Sequence, residues 1–212
     1  MQVREIGGSS CYQAHLQVAL DDAVSACQKA HEAVSRHPLT EETAAGNPEL
    51  TLLYYALEQR RATALVLAAC CVEALANLYL AHKTTPEQFA ILEWTRFLEK
   101  WTVLPSLFVP GYSFPKDGEL YQDLKRLNAR RNALVHLKEE VSREGSILHP
   151  GSHPDVASDE NVFIGRCRSL PDRLLAHLAS FDETEAIMQV KGVLAIAHGM
   201  REMQGERSGG LC

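Results

Sequence analysis

Within a chain of 212 residues, one stretch combines amides, a guanidinium and an imidazole at helical spacing: Asn128, Arg131, Asn132 and His136. Asn128, Asn132 and His136 recur at i, i+4 and i+8, which stacks them as a polar column along one helix face. Beside that column runs a seam at four-three spacing, Leu120, Leu124, Leu127, Arg131, Leu134, Lys138 and Val141, in which two bases interrupt the apolar residues. A guanidinium on such a seam must pair with a carboxylate or look into a wet cleft, because an unpaired buried charge is too costly to persist. Imidazole is the side chain that exchanges a proton near neutral pH, and a guanidinium offers two parallel donors to phosphoryl oxygens. Arg131 and His136 stand about 140° apart on an ideal helix. A long Arg side chain therefore has to curl to meet the ring, or two chains share the work.

A second oddity lies upstream. Glu73 and Asn77, four apart, share a face with Val66, Cys70 and Leu80, which puts a carboxylate and an amide on an apolar surface. Glu73 pairing with Arg131 would hold the guanidinium fork in one orientation; Arg61 or Lys191 would serve as an alternative base. The whole chain carries −6, so it is no polycation, but Gln122 to Arg143 holds six bases and three acids. That segment is +3 and the remainder −9, which makes it the local basic patch that a nucleic-acid role requires. His149 and His153 lack a third ligand at a persuasive spacing, so no metal and no cofactor is expected. The six cysteines show no CxxC and are expected to be reduced; Cys70 and Cys71 are assigned to core packing.

These residues need long helices to position them. Apolar periodicity near 3.6 dominates, so the expected class is all-α in one domain, 1–212. A first helix covers about Tyr12 to Arg36. Asn47-Pro48-Glu49 starts a second that runs to about His82. Thr85-Pro86-Glu87 starts a third, whose Ile91, Trp94, Leu98 and Trp101 are assigned to the core. An ordered loop rich in Pro and aromatics follows, then a fourth helix over about Glu119 to Arg143. Glu144 to Asn161 is expected to be a mobile loop, Leu170 to Ser180 and Thr184 to Met203 two more helices, and 204–212 a frayed tail. Ala62 to Ala81 is apolar enough to raise a membrane question, but Glu73 near its middle would cost roughly 2.5–3.5 kcal/mol in a bilayer. The segment is assigned to a buried helix with no membrane contact, and the N-terminus shows no export signal, so a cytoplasmic location is expected.

Arg131-Asn132-Ala133-Leu134-Val135-His136 resembles the RNxxxH signature of HEPN (higher eukaryotes and prokaryotes nucleotide-binding) domains. The stretch Ala68 to Asn77 is similar to the long helix that carries a Glu and an Asn in prokaryotic members, and the likeness covers about 48–203. The resemblance implies a bundle of five or six helices that dimerises so that two motifs face each other. In many members it also implies a metal-independent endoribonuclease, often the toxin of a toxin–antitoxin or phage-defence system. By that likeness His136 would be the acid/base and Arg131 the phosphate-binding residue, with Asn132 as the polar companion. Beside it, Glu73 and Asn77 are read as supporting residues and Arg130 as an RNA contact, while Lys138 either contacts the RNA backbone or snorkels from the seam. Attack of a ribose 2′-OH on the adjacent phosphorus needs a proton acceptor and a donor, which two imidazoles from a homodimer would supply. The expected partners are RNA, a second copy and an antitoxin or regulatory protein. The alternative within the same resemblance is a catalytically silent interaction or nucleotide-binding module.

Overall fold

The computed structural model describes residues 3–37, 47–135 and 154–209, with side chains in 12–37, 47–135 and 159–203. Among the described residues there is no strand, and seven α-helices form the bundle: α1 (Val3–Ser35), α2 (Pro48–Lys83), α3 (Pro86–Leu92), α4 (Glu99–Thr102), α5 (Glu119–Val135), α6 (Pro154–Ala179) and α7 (Glu185–Gly209). A short 3₁₀ turn, Leu104–Leu107, follows α4.

Every other helix packs on α2. Its start is set locally: Asn47 Oδ1 accepts from the Leu50 amide at 3.1 Å, Pro48 occupies the first turn, and Glu49 faces the positive end of the helix dipole. Ala64, Ala68, Ala69 and Ala76 are buried along it and leave room for α1 to lie close alongside. By length and composition α2 could cross a membrane, yet most of its apolar window is buried within the bundle. α1 adds a buried polar column, Gln13, Gln17 and Asp21, at four-residue spacing. Gln13 donates to the Cys71 carbonyl at 3.1 Å, and Asp21 pairs with Arg168 at 2.8 Å and with Arg201.

Several expected boundaries move. α1 begins at Val3 rather than Tyr12. α6 begins at Pro154, so 154–161 are helical rather than loop, and the helix continues through the buried Pro171. The backbone of α7 is helical to Gly209, where a frayed tail was expected. The third helix stops at Leu92, and the core assignment of its stripe is half wrong. Trp101 is 1% exposed, but Trp94 is 83% and Ile91 74% exposed. The break between α3 and α4 rotates the two halves of the stripe out of register, so one spacing pattern no longer describes a single face.

The loop after α4 is ordered as expected. Pro110-Gly111 makes its turn, with Gly111 at φ +77°, a left-handed backbone that glycine adopts without steric cost. The turn swings Tyr112 back so that its hydroxyl donates to the Trp101 carbonyl at 2.5 Å. Tyr112, Phe114 and Phe181 then pack edge-on around His177, which reaches the Ser113 carbonyl at 3.0 Å. This aromatic clasp fixes α4 against the bundle, and with it Lys100.

Candidate phosphate site between α2, α4 and α5

Three elements converge on one carboxylate. α2 contributes Glu73 and, one turn on, Asn77; α4 contributes Lys100; α5 contributes Arg131 near its C-terminal end. Lys100 Nζ lies 3.0 Å from Glu73 Oε1 and donates to Asn77 Oδ1 at 2.8 Å. Arg131 Nη2 lies 3.6 Å from the other carboxylate oxygen, Oε2. The Lys100 side chain is 2% exposed, whereas Glu73 and Arg131 are 32% and 35% exposed. The ammonium is therefore closed inside, the carboxylate bridges, and the guanidinium stands at the rim. Asn132, also half-buried, accepts weakly from Arg131 Nη1 at 3.5 Å.

The expected Glu73–Arg131 pair is thus present, and neither alternative base takes its place. Arg61 pairs with Glu58 and donates to Asn161, and Lys191 lies exposed on α7. Sequence reasoning missed Lys100. No local signal marks it, because Glu99 beside it and Arg96 four residues before make the segment read as an ordinary solvated charge cluster.

The basic patch is less free than its composition implies. Arg130 pairs with Glu160 at 2.9 Å, and Arg126 with Glu160 at 2.7 Å and Asp159 at 2.9 Å. Arg126 also lies over the Phe163 ring at 4.3 Å. Farther along the same pair of helices the polarity reverses: Asp123 and Glu119 on α5 accept from Arg173 and Arg166 on α6. α5 is thereby laced to α6 on one side and meets Glu73 on the other. Arg130, expected as an RNA contact, also joins α5 to α6 through Glu160.

His136 and Lys138 lie outside the described residues, as do His149 and His153; Val135, the last described residue of α5, is exposed. The seam assignment holds for Leu124 and Leu127, both fully buried, and gives way toward the end, where Leu134 is 40% exposed. Cys70 departs from its core assignment: it is exposed on the Glu73 face, while Cys71 is buried. Partial burial and the neighbouring Glu73 carboxylate push the Cys70 thiol above its ordinary range despite Arg131, which disfavours the thiolate. Burial pushes Cys71 up to about 12. Among the described residues no group of three or more His, Cys, Asp or Glu could hold a metal ion.

The geometry defines a class: an all-α bundle with a rim guanidinium, braced by a carboxylate that a buried lysine already neutralises. No protein-family model matches the chain, and no curated protein or solved structure matches it either.

Proposed function

We propose that this protein is a metal-independent endoribonuclease of the HEPN type, working at the Arg131 end of α5 in a cleft shared by two copies. One observation carries the reading: two cations serve one carboxylate. Lys100 and Arg131 together exceed Glu73 by one positive charge, and the closer, closed-in partner is Lys100. Arg131, at the longer distance and at the rim, keeps donor capacity for an anion while Glu73 limits the directions its fork can take. A phosphate is the anion that a guanidinium fork fits with two parallel hydrogen bonds.

In this mechanism His136, five residues after Arg131 in the sequence, takes the 2′-OH proton as the oxygen attacks phosphorus. Arg131 stabilises the charge that gathers on the phosphoryl oxygens. The second copy's imidazole protonates the departing 5′ oxygen, leaving a 2′,3′-cyclic phosphate. Asn132 and Asn77 orient their neighbours without touching the reacting atoms. In a toxin or phage-defence setting, a cytoplasmic antitoxin or regulatory protein would hold the cleft closed.

The test is incubation of the purified protein with total RNA in chelator, followed by mapping of fragment ends. Cyclic phosphate ends are expected, and Arg131→Ala and His136→Ala should each abolish them with the helical spectrum retained. Undiminished cleavage by either variant removes the mechanism. A second reading, a silent interaction or nucleotide-binding module, is favoured by one fact: Arg126, Arg130 and Lys100 already have carboxylate partners without any ligand. It predicts no RNA turnover at any protein concentration.

A further inference from the structure

The imidazole of His31 on α1 sits in a chain of hydrogen bonds whose direction is set from one end. Arg61 on α2 is buried, and its Nε, which can only donate, lies 3.2 Å from Oδ1 of Asn161 on α6. That contact fixes which way the Asn161 amide faces: its oxygen is on Arg61, so its nitrogen is turned toward α1. Asn161 Nδ2 lies 2.7 Å from Nδ1 of His31. An amide nitrogen donates and does not accept, so His31 Nδ1 is the acceptor and the ring is neutral, with its proton on Nε2. Nε2 in turn lies 3.4 Å from Ser35 Oγ, one turn along α1.

A proton added at Nδ1 meets the Asn161 NH2 as donor against donor. Turning the amide over relieves that clash only by setting its NH2 against Arg61 Nε, and turning the ring puts a carbon where the acceptor was. From this fixed polarity we infer that His31 is a proton-sensitive latch, and that gain of a proton on its ring releases the start of α6 from α1 and α2. The released segment carries more than Asn161. Asp159 and Glu160 beside it hold Arg126 and Arg130 of α5, so the latch braces the turn that keeps those two guanidiniums engaged.

The charges packed around the ring come from three helices. On α2, Arg61 opposes a positive ring, Glu58 is engaged by Arg61, and Arg60 is exposed. On α6, Glu160 is engaged by Arg126 and Arg130. On α1, exposed Glu32 favours the imidazolium, and burial pushes the Cys27 thiol up, so it stays neutral. Burial lowers the His31 pKa, Arg61 lowers it further, and Glu32 works against both. A base depressed in the folded chain binds fewer protons there than when unfolded, so the latch is closed above the ordinary imidazole range and opens as pH falls through it. None of Glu73, Asn77, Lys100 or Arg131 takes part, and the latch does not rest on the nuclease reading.

Long-range proton–nitrogen NMR spectra of the whole protein test it. At about pH 8 the His31 ring should be the Nε2–H tautomer, and on acidification it should titrate below the ordinary imidazole value. Its signals, among those of nine histidines, are the ones lost in His31→Asn. Asn161→Asp should invert the response, since a carboxylate accepts from Arg61 Nε and from a protonated Nδ1 alike, and the proton affinity of His31 should rise about tenfold. In hydrogen exchange, protection of the amides of 161–165 should fall about threefold between about pH 7.5 and about pH 5 in the wild type. His31→Asn keeps an acceptor near the place of Nδ1 with no proton to gain, so it should flatten that fall. An Nδ1–H tautomer, a wild-type titration at or above the ordinary value, an unmoved midpoint in Asn161→Asp, or an undiminished fall in His31→Asn overturns the proposal. No arm of the test involves RNA, so its failure is distinct from a failure of the nuclease reading.

Discussion

Two carboxylates near α2 are each held by a lysine and further donors, and they do opposite things. Asp182, in the turn before α7, is 3% exposed and takes Lys83 at 2.8 Å, the Tyr79 hydroxyl at 2.7 Å and the Thr184 amide at 3.1 Å. Glu73 is one-third exposed and shares its oxygens between a buried Lys100 and a rim Arg131. The first is saturated and closed, so its interactions go into holding the end of α2 to the α6–α7 turn. The second leaves one cation beyond what its carboxylate neutralises. That excess at the rim distinguishes a candidate binding site from a staple, although both contain the same residue types.

The largest break in the comparison is at the staple. Asp182→Ala leaves Lys83 and Tyr79 without their acceptor, and loss of one partner of a buried pair is expected to cost about 3 kcal/mol in urea unfolding at pH 7. The acid response carries the same signature. Burial alone would raise the Asp182 pKa, but hydrogen bonds from Lys83, Tyr79 and Thr184 outweigh it and hold the carboxyl at about 2. A depressed carboxyl contributes its stability above the unfolded value near 4 and loses it as pH falls toward the folded value. About 2 kcal/mol should therefore drain between roughly pH 4 and pH 2 in the wild type, and Asp182→Asn should abolish that part of the slope. An unchanged slope in the variant would assign the acid sensitivity elsewhere.

Lys100→Met comes next. It removes the buried donor from both Glu73 Oε1 and Asn77 Oδ1, whose side chains are themselves half-buried. The cost expected is about 2 kcal/mol, since both acceptors lose a charged donor and are only partly rehydrated. Changing Glu73→Gln as well should recover part of it, because the carboxylate no longer lacks its counter-charge. A double-mutant cycle on unfolding free energies measures this, and strict additivity would show that Lys100 and Glu73 act independently.

How much of this was legible in the residues depends on whether the determinant is local. Asn47-Pro48-Glu49 carries its own capping chemistry, and α2 starts there. Glu73 and Arg131 were legible because each is a charge on an apolar face, and two such anomalies of opposite sign imply each other. The start expected at Leu170 was late, since tertiary packing carries α6 from Pro154 straight through Pro171. Ile91 and Trp94 misled because periodicity is blind to a break between α3 and α4. Lys100 was invisible because its meaning lies in Glu73 and Asn77, more than twenty residues away in the chain. The fate of Arg130 was hidden in the same way, since nothing near it names Glu160.

Arg131→Ala separates stability from function. The pair it breaks is long and one-third exposed, so the stability change should be within about 1 kcal/mol, while RNA cleavage should fall to background. A large stability loss with cleavage intact would turn Glu73–Arg131 into a second staple and erase the contrast with Asp182. The smallest effect is reserved for the adjacent residue. Arg130 is as cationic as Arg131 and points to α6, where Glu160 takes it at 2.9 Å while also holding Arg126. With Arg126 still on Glu160, Arg130→Ala leaves no carboxylate stranded, and the expected change is about 0.5 kcal/mol. Its effect on RNA binding should be a few-fold at most, relieved further by salt. If the two neighbouring arginines instead prove equally necessary for cleavage, the relevant property is the summed charge of α5, and the orientation that Glu73 imposes on one guanidinium is irrelevant to the chemistry.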